Sequence, residues 1–153
     1  MKTCLRLLVL CGVLFISLPQ MASADEMLMA RINMDFPEAM LKLQGTLKHQ
    51  GYTISRVQRI DIGLTKSGYK TDKYRVVFYG KPEEVKNISA RYPQLIPYLP
   101  LKLALFAEAN DTLLIAANPL MLAPKADKEL KSYLTHWAHD LQKLLTTMRS
   151  SSD

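Results

Sequence analysis

Cysteine is almost missing from this chain: there are two in 153 residues, Cys4 and Cys11, and both fall within the first 24. A mature chain without that segment has no disulfide to brace it and no thiol for nucleophilic or metal chemistry, so its core alone must hold it. Glycine is sparse at six residues, and no glycine-rich turn runs into a helix start, which excludes the usual phosphate cradle. No G-x-S-x-G elbow is present to fix a serine nucleophile. An excess of charge of one sign is lacking too. Without Lys2 and Arg6 the chain carries 18 basic and 14 acidic residues, a net of +4. That is far from the dense basic stripe of a nucleic-acid binder, and no nucleic-acid partner is expected.

Long apolar runs are confined to the N-terminus. Lys2 and Arg6 precede the run Leu7 to Leu18, Pro19 breaks it, and Ala22-Ser23-Ala24 supplies the small residues of a cleavage site. The run has 12 residues, whereas a spanning helix needs roughly 20. Residues 1–24 are therefore expected to be a signal peptide, with cleavage before Asp25 and a periplasmic or secreted product that has no membrane span. Residues 25–149 are expected to form a single domain and residues 150–153 a frayed tail. The 129 residues after the signal suffice for a substantial core.

The mature chain opens on strict alternation. Leu28, Ala30, Ile32 and Met34 fall on one side, with Met27, Met29, Arg31 and Asn33 on the other, the pattern of a half-buried strand. Asp35 is placed to cap a helix with Pro37 and Glu38 in its first turn. Met40, Leu43 and Leu47, with Leu41 beside them, make its buried stripe, and Gly51 its stop. Tyr52 to Ile62 reads as a second strand, bulged near Arg56. Gly63 to Lys73 reads as a loop, whose Lys66, Lys70 and Lys73, with Arg75, form solvated surface rather than an anion site.

Tyr74 to Gly80 is a third strand, apolar on both sides. Pro82 to Tyr92 is a second helix, and Pro93 to Pro100 a rigid connector. Leu101 to Ala117 reads as a hairpin turning at Asn110-Asp111, which pairs Leu105 with Ala116 and Phe106 with Ile115. One face carries Leu101, Leu103, Leu105, Ala107, Leu114 and Ala116; the other carries Ala104, Phe106, Leu113 and Ile115 between charged ends. Pro119 and Pro124 bracket a linker. Asp127 then caps a last helix to about Met148, whose Leu130, Leu134, Trp137, Leu141, Leu144 and Met148 form one continuous stripe. The expected class is α+β, an antiparallel sheet in the order β-α-β-β-α-β-β-α, with helices on one face.

Two constellations have metal-ligating types. His136 and His139 lie three apart on the last helix with Asp140 beside them, the first half of a metal site that lacks a third ligand in sequence. Met27 and Met29 offer two thioethers to Cu(I), again without a third donor. Solvated polar surface and adaptable packing are the commoner uses of such residues. The reading calls for no cofactor.

Three stretches carry a family resemblance: LKHQGYTI at Leu47 to Ile54, YRVVFYGKP at Tyr74 to Pro82, and LPLKLALFAE followed by LLIAANP between Leu99 and Pro119. Together they span about Ala30 to Pro124, and they resemble the family called domain of unknown function 302. The resemblance implies a small α+β fold with a long C-terminal helix on an antiparallel sheet, a TATA-binding-protein-like or helix-grip-like arrangement. Relatives with a cysteine after the leucine-proline pair differ from this chain, which has Leu101 there. No activity comes with the resemblance.

Apolar groups on both sheet faces give the one functional expectation. Val77, Tyr79, Phe106 and Ile115 are named as a ligand or partner face, although strand parity leaves open which side of the third strand accompanies Phe106. The leading expectation is a non-enzymatic binding module that pairs through this face with a second copy of itself or another protein. The alternative is a carrier of a small amphipathic ligand held between the sheet and the last helix, with copper binding or an enzyme behind both.

Overall fold

The computed structural model describes residues 26–150. The expected signal peptide, and the tail beyond Ser150, lie outside the described residues. Among the described residues no helix is long and apolar enough to cross a membrane.

In chain order the elements are β1 (Met27–Ile32), α1 (Phe36–His49), β2 (Thr53–Arg59), α2 (Ile60–Lys66), β3 (Tyr74–Gly80) and α3 (Pro82–Arg91). A 3-10 helix over Pro93–Tyr98 follows. Then come β4 (Leu101–Glu108), β5 (Asp111–Ala117), a second 3-10 helix over Pro119–Lys125, and α4 (Lys128–Arg149). All five strands join one sheet in the order β1-β5-β4-β3-β2, each pairing antiparallel. The register of β2 slips between Ile54 and Arg56, where the bulge was expected.

Alternation places Ala30, Ile32, Val77, Tyr79, Leu103, Leu105, Leu114 and Ala116 on one face, and α1 and α4 cover it. Asp35 caps α1 by accepting from the Glu38 amide at 2.9 Å, and Gly51 ends it at φ +79°, where a side chain would be strained. Asp127 caps α4 through the Leu130 amide at 2.8 Å. All six expected stripe residues of α4 are buried, joined by Ala138 and Leu145. Its C-terminal half completes the main core, while Leu130, Leu134 and Trp137 pack with Ile88 of α3 and with Tyr92 and Leu95. Lys42 of α1 donates to the Met148 carbonyl at 2.9 Å, satisfying a helix-end acceptor with a cation at the negative end of the dipole.

Four local expectations need correction. The expected second strand ends at Arg59, and Ile60–Lys66 forms α2 instead of strand and loop. Asp61 in its first turn ion-pairs with Arg75 of β3, both side chains largely buried, which docks the turn on the sheet and takes Arg75 from any anion site. Leu41 is no part of the α1 stripe: it is 73% exposed, and Ala39 takes the inward position. The rigid connector after α3 and the linker after β5, to which no helix was assigned, each form a 3-10 helix.

The fourth concerns the hairpin. Its turn is Ala109-Asn110, with Ala109 at φ +52°, so Glu108 faces Asp111, Leu105 faces Leu114 and Phe106 faces Leu113. The pairing is thus displaced by two residues from the expected one. Because side chains alternate with period two, every residue keeps its expected face. On its other side β5 is anchored to β1. Thr112 sits opposite Ile32 of β1, and its buried hydroxyl donates to the Met34 carbonyl at 3.0 Å.

Candidate functional site

The ladder between the central strands is shorter than the strands. It runs from Glu108–Asp111 to Ala104–Ile115 and stops there. Beyond that point β4 stays with β3 as far as Leu101 opposite Tyr79, and β5 stays with β1 as far as Ala117 opposite Met27. Each strand follows its outer neighbour, and the middle of the sheet opens.

The chemistry of the chain explains why. Continuing the β4–β5 register would set Pro100 against Pro119, and neither has an N–H to offer a ladder. The intervening Asn118 amide donates to Glu26 at 2.9 Å, on the β1 side. Small residues, Ala104 and Ala116, stand where the strands part.

A cavity of about 450 Å³ occupies this opening. Val76, Ala104 and Ile115 line it from the uncovered face of the sheet; Tyr79, Leu101 and Ala116 line it from the helix-covered face; and Leu134, Trp137 and Leu141 of α4 close its inner end. Met27, Tyr98 and Met121 also border it, and each is about half exposed, at 48%, 53% and 45%. The volume lies in the range of small-molecule sites, and the predominantly apolar wall with a few polar groups is typical of them.

The polar group of most interest is Tyr79. It is only 4% exposed, yet its hydroxyl has no hydrogen-bond partner among the described residues. The ring meets Tyr52 edge-on at 5.3 Å, and the Tyr52 hydroxyl donates to Asp140 Oδ2 at 2.8 Å. Burial pushes both phenols well above their ordinary range, and the Asp140 charge acts in the same direction. Both are therefore neutral donors at physiological pH.

Asp140 belongs to a polar cluster beside the cavity. Lys81 Nζ lies 3.6 Å from Asp140, 3.9 Å from Glu84, 3.2 Å from His136 Nε2 and 4.8 Å from the centroid of the Tyr52 ring. Glu84 accepts from the Trp137 indole N–H at 3.0 Å. These contacts tie α3 and the end of β3 to α4, and they fix the tryptophan as part of the cavity wall.

The four residues named as one face do not share one. Val77 and Tyr79 point into the helix-covered core, 0% and 4% exposed, whereas Phe106 and Ile115 lie on the opposite face with Val76 and Phe78. Parity decides this through the register: Val76 is opposite Ala104 and Val77 opposite Leu103. Tyr79 and Ile115 nonetheless meet at the cavity, from its two sides. None of the uncovered strand residues belongs to either core cluster.

Met27 and Met29 stand on the outer side of the edge strand β1, 48% and 49% exposed, while His136 and His139 stand on α4. His136 lies 3.3 Å from Asp140 Oδ2, with the Lys81 ammonium on the nitrogen a metal would need. His139 Nδ1 is 3.8 Å from Asp140 Oδ1. Among the described residues no group of three or more His, Cys, Asp or Glu is placed to hold a metal ion.

Sequence reasoning missed the cavity, and with it the roles of Trp137 and Leu101 as wall residues. A signal was present: Pro100 and Pro119 lie equally far from the turn.

Residues 29–148 match the family model described as Domain of unknown function DUF302. A solved structure, the crystal structure of an uncharacterized conserved protein DUF302 from Bacillus stearothermophilus, is similar at a TM-score of 0.74 and 19% identity. The similarity covers 82% of this chain and 100% of that one. It extends to the fold. No curated protein matches the chain.

Proposed function

We propose that this chain, which belongs to the family described as Domain of unknown function DUF302, is a non-enzymatic binding protein for a small apolar or amphipathic ligand. The ligand sits in the opening between β4 and β5. The observation that supports this reading is the cavity of about 450 Å³ whose walls come from both sheet faces and from α4. Its apolar wall favours a hydrophobic body, and its half-exposed rim leaves a route for one polar end to reach water. The leader-like N-terminus supports placing this activity in the periplasm or outside the cell.

Trp137, the sole tryptophan, lines the cavity and reports on it. N-phenylnaphthylamine, a neutral probe that fluoresces in apolar sites, is expected to bind with energy transfer from Trp137. Protein taken from its native source is expected to show adduct mass in native mass spectrometry. Absence of both the transfer and the adduct would sink the reading.

A second reading rests on a separate observation. Val76, Phe78, Phe106, Leu113 and Ile115 leave the uncovered sheet face apolar and only half buried, and such a face favours pairing with a second copy or another protein. Light scattering that gives a dimer for the natural chain and a monomer for Phe106→Lys would support it. A monomer for both would remove it.

A further inference from the structure

We infer that the ligand is an apolar molecule with an uncharged hydrogen-bond acceptor, such as a ketone, ester or ether oxygen, and that the Tyr79 hydroxyl donates to it. This rests on the cavity being a ligand site.

A hydroxyl on an otherwise buried ring normally has a fixed partner in the protein. Tyr79 lines the cavity and is 4% exposed, and its hydroxyl has no hydrogen-bond partner among the described residues; the oxygen is not fully enclosed, so it opens onto the cavity and can donate to whatever occupies it. Its neighbour Tyr52 differs in this respect, since its hydroxyl is held by Asp140 at 2.8 Å. Two phenols in edge contact therefore have different employment: one is locked into the scaffold and the other is left for something that enters the cavity.

The electrostatics select the class of acceptor. Asp140 is the charged group whose field reaches Tyr79, and it disfavours a second negative charge there. Of the two ammonium groups near the cavity, Lys81 is already shared among Asp140, Glu84 and His136, and Lys102 lines the cavity from the uncovered face, with its Nζ donating to the Pro97 carbonyl at 3.2 Å, on the opposite side of the sheet from Tyr79. A carboxylate at the inner end would meet repulsion without a free cation, whereas a neutral carbonyl or ether oxygen needs only the donor. The remaining inner wall, Leu134, Trp137 and Leu141, accommodates the hydrocarbon body.

Three probes of similar shape test this: acetylnaphthalene, ethylnaphthalene and naphthoate. Binding is followed through the indole N–H resonance of Trp137, in the natural protein and in Tyr79→Phe. The ketone is expected to bind about three- to tenfold more tightly than the hydrocarbon, the advantage of one hydrogen bond. In Tyr79→Phe that advantage disappears, hydrocarbon affinity is unchanged, and the carboxylate, which Lys102 on the uncovered face can hold without Tyr79, binds both proteins equally. A thermal unfolding midpoint for Tyr79→Phe no lower than that of the natural chain shows that the lost affinity is not lost folding. Equal binding of ketone and hydrocarbon by the natural protein, or an undiminished ketone preference in Tyr79→Phe, overturns the inference while leaving the ligand cavity intact. Failure of all three probes to bind the natural protein counts against the cavity as a ligand site, and the inference falls with it.

Discussion

Ala104 and Ile115 form the last pair that joins the two central strands, and everything distinctive about the molecule lies just beyond them. A sheet that stayed closed to Leu101 and Asn118 would bring these strands together over the inner wall of α4. Because it opens, Trp137 and Leu134 line a cavity at that point instead of packing under paired strands.

Filling the opening should separate binding from folding. Ala116 is 3% exposed and lines the cavity from the helix-covered side. Ala116→Leu sends its added carbons into existing space, so it is expected to cost less than about 1.5 kcal/mol in urea unfolding, at the low end of the usual overpacking penalty. The same variant is expected to lose N-phenylnaphthylamine binding. A large loss of stability, or full retention of probe binding, would contradict the cavity's position.

The two exposed extremes of the helices make a direct contrast. Leu144 of α4 is 1% exposed within the main core, and Leu41 of α1 is 73% exposed. Leu144→Ala is expected to lower stability by about 2 to 5 kcal/mol, whereas Leu41→Ala should stay within about 0.5 kcal/mol. Denaturant midpoints of the two variants measure the difference.

Gly80 ends β3 where the chain turns into α3, and a Cβ built there would lie 2.8 Å from Val85 Cγ2 and 3.7 Å from Pro100 Cβ. Valine has no flexible arm to swing away, so the helix itself must move. Gly80→Ala is expected to cost about 1 to 3 kcal/mol by chemical unfolding. A neutral result would show that α3 tolerates displacement from the sheet.

Alkali should unfold the protein through its buried phenols. Burial raises Tyr52 and Tyr79 above their unfolded value of 10.0, with Asp140 adding to the shift. Below that pH both states are protonated and the full stability is present. Above it the unfolded chain ionises while the folded chain does not, so stability falls progressively as pH rises toward the folded values. The thermal midpoint is expected to drop from about pH 10 upward, and to drop less steeply in Tyr79→Phe. An identical slope in that variant would show that Tyr79 does not contribute.

Much of this architecture was open to inspection in the linear chain, because periodicity is a local property. The alternation of Leu28, Ala30 and Ile32, the caps at Asp35 and Asp127, and the stripe from Leu130 to Met148 each depend on residues a few positions apart, and each stands in the structure as expected. Hairpin facing survived even a two-residue error in register, since parity alone assigns a face.

Pairing between distant segments was another matter. Whether Val76 or Val77 accompanies Phe106 depends on how β3 meets β4, more than 20 residues later in the chain. The same holds for Asp61 on Arg75 and for Lys81 among Asp140, His136 and Glu84, whose chemistry exists only once α3, β3 and α4 converge. The sequence by itself determined an α+β domain with its strands, caps and buried stripes, because those follow from near-neighbour sterics and hydrophobic spacing. Only the tertiary structure decided that two central strands part company after Ala104 and Ile115. That outcome depends on four strands competing for the same backbone hydrogen bonds, with Pro100 and Pro119 unable to compete.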